Sequence, residues 1–562
     1  YQAGRYATGS YNTFVGGDAG KGGTTSAPFS SGIRNTAIGY QALTSFTTGN
    51  NNNSIGYFSG QNITEGEQNN LIGYYAGNSI TTGDSNVALG HSALQSVTTT
   101  DGGVAVGHQA FLSRTVSHGV AVGHKAGYAG GGQDAVYISD RAGENAGSTS
   151  NYNVGIGNWA LRYNVTGDNN VAIGRVSQMG ISGKSHSDNT SVGYESLKYI
   201  VGSDSVGIGS AAGLNATGSY NTFVGSEAGK GGTTSAPYSS GQNNVAMGYQ
   251  ALTAFTTGHS NIAIGSNAGD NITTGNYNTI IGRIAGDNLT DNEGNVLIGD
   301  GAGNAMDSGE NNNVIIGMSA GYSINNSGAD DNIIIGRGAG NGGTGNFLRN
   351  IAIGRDALNS TAGNNSQGQI AIGYNAGTQI TTGTQNTLIG YLAGYSLTDD
   401  SYTVAVGYGA CYLATNSYNT GIGTEALGQT TSGNINTAIG HRAGYTNTTG
   451  GNNVFLGTEA WGSANNATNQ IVIGKGAVGI QNNSAIIGNS SCTDVFMGDN
   501  GSAWSTTSDG RLKENVEDWN VGLDVINNLR IVSYNFKKDN PYKYDSNKKR
   551  QGIIAQEAQK VL

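Results

Sequence analysis

A serine and a lysine five positions apart, Ser508 and Lys513, form the one pair in this sequence whose residue types suggest a catalytic centre. A serine hydroxyl is a weak nucleophile until a base takes its proton. A lysine serves as that base when burial or a nearby cation lowers its pKa and leaves the amine neutral. The spacing by itself selects nothing, because such pairs arise by chance in any long chain. The blocks of sequence around the pair therefore carry the argument. Asp509, Arg511 and Asn515 in the same stretch read as structural supports.

Other chemistry-bearing side chains recur at a fixed place, directly after a repeated glycine. Tyr40, Tyr57 and Tyr74 are followed by His91, His108 and His124, and Tyr374, Tyr391 and Tyr408 form a second run. Stacked at the roughly 4.8 Å spacing of neighbouring strands, the tyrosines could carry a sugar and the histidines a metal. Packing of like residues in a ladder explains both runs without a ligand, and stacked imidazoles lack the convergence a metal requires. Lys21-Gly22 and Gly183-Lys184-Ser185 hint at phosphate loops but lack the full motif and a following helix. Glu65 with Glu67, and Asp330 with Asp331, could mimic glycosidase carboxylates, yet acids in turns are ordinarily solvated. Neither a cofactor nor a metal is expected.

The elements that hold these residues follow from composition. Of 562 residues 95 are Gly, only 3 are Pro and 2 are Cys, and charged residues make up 11%. Collagen is excluded by the lack of a Gly-X-Y period and of proline. Simple disorder is excluded by recurrent aliphatic residues with sparse charge. No apolar run reaches the roughly 18 residues of a membrane helix, so no membrane insertion is expected. A net charge of −10 argues against a nucleic-acid partner. Cys411 and Cys492 cannot build a disulfide framework. The chain opens on Tyr1, which fits a processed or partial chain.

One motif runs almost the whole length. Asn35-Thr36-Ala37-Ile38-Gly39 returns as Asn86-Val87-Ala88-Leu89-Gly90, Asn170-Val171-Ala172-Ile173-Gly174 and Asn436-Thr437-Ala438-Ile439-Gly440. About 28 such units, most spaced by about 17 residues, lie between Asn12 and Met497. A larger duplication overlies them: residues 8–32 nearly repeat as 217–241, so a block spanning about 8–216 is copied from about 217 onward.

Each unit reads as a short strand and a turn. The residue before the glycine is apolar (Val15, Ile38, Ile55, Ile72), and two residues earlier stands Val, Ile or Thr. These two share one strand face, which is expected to line the interior. The residue between them is often small (Ala37, Ala88) but grows to Leu71, Ile280 and Ile334, which suggests a second covered face packed against another copy. Recurrent Thr-Thr-Gly turns, as at residues 47–49 and 81–83, and an Asn able to bond the Asn one coil away complete the unit. Pro28 and Pro237 fall only in a longer unit of about 23 residues that must bulge out as a loop. Loops on a rigid scaffold commonly carry recognition, so Phe29 and Tyr238 are candidate receptor contacts; a plain surface insertion is the alternative. No helical period appears, and the fold class is all-β: a parallel β-solenoid, one unit per coil, over residues 1–498.

The repeated Asn-x-Ala-Ile-Gly-x-x-Ala pattern resembles the head repeat of trimeric autotransporter adhesins of the YadA type and related repeats of bacteriophage tail fibres. The resemblance covers roughly residues 8–498 and implies a left-handed parallel β-roll in a homotrimer.

After a linker at 499–507 the composition changes. From Asp509 onward ten basic and eight acidic residues fall in 54 positions, leaving 17 basic and 29 acidic residues to the repeats. Leu523, Ile526 and Leu529 have helical spacing, Ile531 to Phe536 alternates as a strand, and Gly552 to Leu562 reads as a second helix, so this is a small α+β domain. Ser508 to Val516, Val532-Ser533-Tyr534-Asn535-Phe536 and Gly552-Ile553-Ile554-Ala555-Gln556-Glu557 resemble the self-cleaving intramolecular chaperone of phage tailspikes and fibres, the endosialidase-type domain of peptidase family S74. The resemblance implies that Ser508 attacks the Thr507–Ser508 bond with Lys513 as base. That domain ordinarily continues into further helix, so 508–562 is expected to be an incomplete copy.

Taken together these features describe a structural and receptor-binding fibre of a bacteriophage tail, an extracellular virion component whose chaperone directs trimer assembly. Its partners would be a host cell-surface glycan or other receptor and other tail proteins, with no activity on an external substrate. A bacterial trimeric surface adhesin and a tailspike glycan depolymerase are the alternatives.

Overall fold

The computed structural model describes residues 1–492 except 25, 28, 116, 236–237, 344 and 360–364, and, near the C-terminus, residues 525, 527–535, 537, 549–558 and 560. The chain divides into two units, Tyr1–Thr493 and Asp494–Leu562.

The first unit is an all-β parallel solenoid. Strands of mostly three residues, from Thr13–Val15 to Ser484–Ile487, join one 28-stranded sheet in which each strand pairs in parallel with the next along the chain. Motif positions lie in register, Thr36 on Asn53, Asn53 on Asn70 and Asn70 on Val87. The two longer units keep this register and bulge elsewhere, with Thr13 on Thr36 and Thr222 on Val245. Their chain returns to the stack at Ser30 and Ser239, which bridge Ala7 and Ala216.

The interior is not lined by the face expected from the sequence. Ile38 and Ile72 are 38% and 37% exposed, whereas Ala37, Leu71, Ala88 and Ile334 between the flanking apolar residues are fully buried. The reason is steric. A coil of about 17 residues folds back on itself so closely that its centre accepts one side chain per strand, often only a methyl group. Larger residues enter where a neighbour gives way: Tyr137 is wholly buried, and on the next coil Gly155 leaves it room, since a Cβ there would lie 3.1 Å from the tyrosine ring. The branched pair in each strand faces outward and forms an apolar stripe along the stack.

The motif glycine is dictated by backbone geometry. Gly56 has φ +134°, and a Cβ on it would sit 2.4 Å from the carbonyl oxygen of Gly73 on the next coil. The motif asparagine satisfies the corner beside it. Asn52 N–H donates to Asn35 Oδ1 at 2.9 Å, Asn69 N–H to Asn52 Oδ1 at 3.0 Å, and Asn86 N–H to Asn69 Oδ1 at 3.0 Å. Each amide also donates across the coil, as from Asn52 Nδ2 to Gly66 O at 2.8 Å. Threonines of the turns donate likewise, Thr47 Oγ1 to Thr64 O at 3.0 Å and Thr431 Oγ1 to Thr448 O at 3.2 Å. These buried amides form a polar counterpart of the apolar core over most of its length, broken where Gly103, Gly119 and Ala135 take the place.

Glu310 interrupts the pattern. It is fully buried, Asn292 Nδ2 donates to its Oε2 at 2.8 Å, and Oε1 has no hydrogen-bond partner. Loss of hydration raises its pKa to about 7, with Asp307 adding to the rise. The folded-state pKa therefore lies above the unfolded value, and the stability it allows is full below about pH 4.5 and is lost as the pH rises through about 7. Glu310→Gln is expected to raise the unfolding free energy at pH 8 by up to about 3 kcal/mol, seen as a higher urea midpoint, and to leave it unchanged at pH 4. Equal midpoints for the two proteins at both pH values would refute this.

In the second unit Ile531–Tyr534 pairs antiparallel with Arg550–Ile553, and a short helix follows at Ala555–Ala558. Gly552, expected to open the second helix, belongs to the strand. A two-pronged ion pair fixes that helix, Arg530 Nη2 to Glu557 Oε1 at 2.7 Å and Arg530 Nε to Glu557 Oε2 at 3.0 Å.

Candidate functional site

Ser508, Lys513 and the Thr507–Ser508 bond lie outside the described residues, as do Pro28 and Pro237. The described candidates belong to the solenoid, where position on a coil decides what each side chain meets.

Each longer unit stacks its aromatic residue on another ring. Phe29, 41% exposed, stacks on Tyr6 with centroids 6.2 Å apart, and Tyr238 stacks on Tyr199 at 4.4 Å with the rings 9° from parallel. Phe29 thus lies on a ring of the preceding coil, whereas Tyr238 reaches past one coil to a ring two coils back. Lys198 Nζ lies 5.0 Å from the Tyr199 ring centroid and 2.8 Å from Glu195 Oε1. Burial raises the Tyr238 phenol pKa, and Tyr199 adds to the rise, so this hydroxyl keeps its proton and can donate a hydrogen bond. Beside Tyr238 lies a cavity of about 660 Å³ lined by Ile181, Lys184, Val201, Thr217 and Thr256 among others. Its size falls within the range of ordinary small-molecule sites, about 300–1,000 Å³. Lys184 and Tyr238 are 54 residues apart in the chain and meet in this wall because successive coils stack. No short motif could have revealed that.

The ladders are continuous. Tyr40, Tyr57 and Tyr74 stack at 5.4 and 5.1 Å, His91 follows at 4.9 Å, His108 at 5.0 Å and His124 at 5.4 Å. His124 Nδ1 then meets Asp140 Oδ1 at 2.7 Å. Desolvation lowers the His108 pKa first, and its neighbours His91 and His124 lower it further. The rings of such a column use their faces on one another, leaving no convergent donor set. Among the described residues no group of three or more His, Cys, Asp or Glu is placed to hold a metal ion. A second set of tyrosine pairs escaped the sequence reading, Tyr395 with Tyr412 at 5.2 Å and Tyr402 with Tyr418 at 5.2 Å. Their signal was recurrence five residues after, or five before, the motif glycine, outside the motif itself.

Carboxylate pairs of the glycosidase kind do not assemble from the sequence candidates. Glu67 Oε1 accepts from Asn50 at 2.7 Å within a turn ladder, and Asp330 Oδ1 accepts the Asn311 N–H at 2.6 Å. Both acids serve the stack.

No curated protein and no solved structure matches the chain. One family model does: residues 508–562 match the peptidase S74 family, described as chaperone of endosialidase, and the matched span begins at Ser508. A parallel β-solenoid followed by a segment similar to this family fits a protein of the phage-fibre type.

Proposed function

We propose that this chain is a structural and receptor-binding fibre of a bacteriophage tail, displayed on the virion, whose C-terminal domain directs assembly and then cuts itself free. The observation that carries this reading is the pairing of a long parallel solenoid with an S74 match at its C-terminal side. Short strands that can pair only after a whole coil of chain has been laid down, and sticky strand edges exposed during folding, give an assembly helper a physical purpose.

A second feature supports a homotrimer as the assembled form. Ile173, Ile208, Ile389, Ile439 and Leu456 all stand 37–42% exposed or nearly so on the outward strand face, at 38%, 42%, 38%, 41% and 42%. An apolar stripe repeated over this many strands far exceeds what isolated surface residues require, and such surface marks an interface. A second and third copy of the same chain would bring like stripes together along their whole length.

The receptor contacts in this reading are Phe29 and Tyr238, aromatic platforms on the two longest units of the stack, with Lys184 beside the second. A host cell-surface glycan suits rings flanked by threonine hydroxyls and one cation. Trimming both loops to ordinary turn length is expected to lower adsorption to host cells at least about tenfold, which corresponds to about 1.4 kcal/mol, without changing the circular dichroism of the solenoid. Full adsorption by the trimmed fibre would rule out these loops as the receptor site.

A further inference from the structure

Two tyrosine columns run side by side over the coils between residues 373 and 445. Tyr374, Tyr391 and Tyr408 directly follow their motif glycines and stack at 5.0 and 5.3 Å. Tyr395, Tyr412 and Tyr445 stand five residues after theirs, and the first two stack at 5.2 Å. One end of the first column is capped, since Arg355 Cζ lies 5.6 Å from the Tyr374 ring centroid. At the other end both columns break on the same coil. After Gly423 the first place is held by Thr424 and the fifth by Gly428. One coil earlier the second place is Gly409, where adjoining coils carry Leu392 and Glu425.

Backbone geometry requires neither glycine. Leu392, Glu425 and Arg442 occupy the second place at φ 55°, 52° and 52°, beside 58° for Gly409, and they carry full side chains. Gly428 has no positive φ, and tyrosine fills its place on the coils to either side. What the two glycines produce is space: a recess of about 250 Å³ walled by Tyr408, Tyr412 and Tyr445, with Leu392 at one end and Glu425 and Gln429 on its border. Tyr408 is 52% exposed, so a ring entering the recess finds an aromatic surface open to it. The polar border is already oriented. Arg442 Nε donates to Glu425 Oε2 at 2.5 Å, and Gln429 Nε2 donates to the Tyr445 hydroxyl at 3.1 Å.

We propose that this recess binds one pyranose ring of a neutral glycan in the space that the two glycines leave between the columns. The apolar C–H face of the sugar would lie on Tyr408, and its hydroxyls would donate to the Glu425 carboxylate and pair with the Gln429 amide. Arg442 balances the charge of Glu425, which favours an uncharged sugar over an acidic one. The volume lies just under the roughly 300 Å³ at which ordinary ligand sites begin, so a single ring is held and a dissociation constant on the order of 1 mM is expected. The source of the glycan, a host surface, rests on the fibre reading above; the recess itself does not.

Saturation-transfer NMR on the full chain with methyl glycosides of glucose, galactose, mannose and N-acetylglucosamine at tens of millimolar tests it. At least one is expected to receive saturation at its ring protons. Gly428→Tyr, which restores the column, should weaken that binding at least about tenfold. The new Cβ would stand 3.1 Å from the Glu425 carbonyl oxygen and 3.3 Å from the Tyr445 ring; a ring shift relieves the second, and Tyr445 itself stands in the equivalent turn, its N–H donating to Arg442 O at 3.2 Å. Should that variant fail to fold, Tyr408→Ala, at an exposed position, must show the same loss. Absence of transfer to all four glycosides, or native affinity in the folded variants, overturns the proposal. Adsorption to host cells separates the two readings: adsorption unchanged in Gly428→Tyr removes the recess as a host contact and leaves the fibre function standing, whereas failure of the native fibre to adsorb removes the fibre function alone.

Discussion

The Ser508→Ala chain is expected to remain uncut while the native chain is severed between Thr507 and Ser508. The serine hydroxyl is the nucleophile in the proposed reaction, and alanine offers no atom to form the ester with the Thr507 carbonyl. Lys513→Ala removes the base that takes the hydroxyl proton and should stall the same step. Because the two groups act as one unit, either change is expected to slow cutting by on the order of 10³-fold or more. The attack is intramolecular, so the native rate constant should not vary with protein concentration. Trimers should still form in both variants, since cutting follows assembly. In the proposed reading cleavage would make assembly irreversible in practice: with the helper gone the fibre could not be guided back through folding, and its stability would become kinetic. Intact-mass spectrometry decides the matter, and efficient cleavage at Thr507–Ser508 in the Ser508→Ala chain would show that another group is the nucleophile.

Fold class was legible because the constraint repeats. A coil that must turn at φ near +134° against the next backbone strongly favours glycine, so Gly39, Gly56 and Gly73 recur while Ser139 takes the place at φ 110°, and a buried corner that needs two donors and an acceptor selects Asn35, Asn52 and Asn69. Which strand face points inward was not legible from hydrophobicity. Ile38 is the more apolar residue and Ala37 the more buried. The narrow interior selects on volume, and the outward face keeps its branched residues for a surface that a single chain leaves open. The binding candidates divide in the same way. Phe29 and Tyr238 were visible because proline and extra length mark their loops. The cavity beside Tyr238 and the recess at Gly428 arise between coils, from residues that only the 16- to 23-residue stacking register brings together.

Two neighbouring isoleucines, Ile334 and Ile335, should respond oppositely to the same substitution. Ile334 is fully buried, stacked between Ile315 and Ala352, and fills the room that Gly340 leaves, where a Cβ would lie 2.8 Å from its Cδ1. Its burial contributes about 1.5–3 kcal/mol. A carboxylate there has no partner and no water, which adds several kcal/mol more. Ile334→Asp is therefore expected to unfold its region of the stack at neutral pH. Each coil touches only its neighbours, so the damage should remain local: amides of residues 314–353 should lose hydrogen-exchange protection while coils near residues 50–110 keep theirs. Ile335 stands between Ile316 and Ile353 on the outward face. Aspartate in its place meets water in a single chain, so protection of the coil should be unchanged. Across three copies, however, the substitution sets three carboxylates against one apolar seam, and sedimentation analysis should show the assembly falling apart into folded single chains. An Ile335→Asp protein that sediments as native would exclude this stripe as the interface, and protection retained around Ile334→Asp would mean that the coil interior tolerates charge and that its core is not what holds the solenoid together.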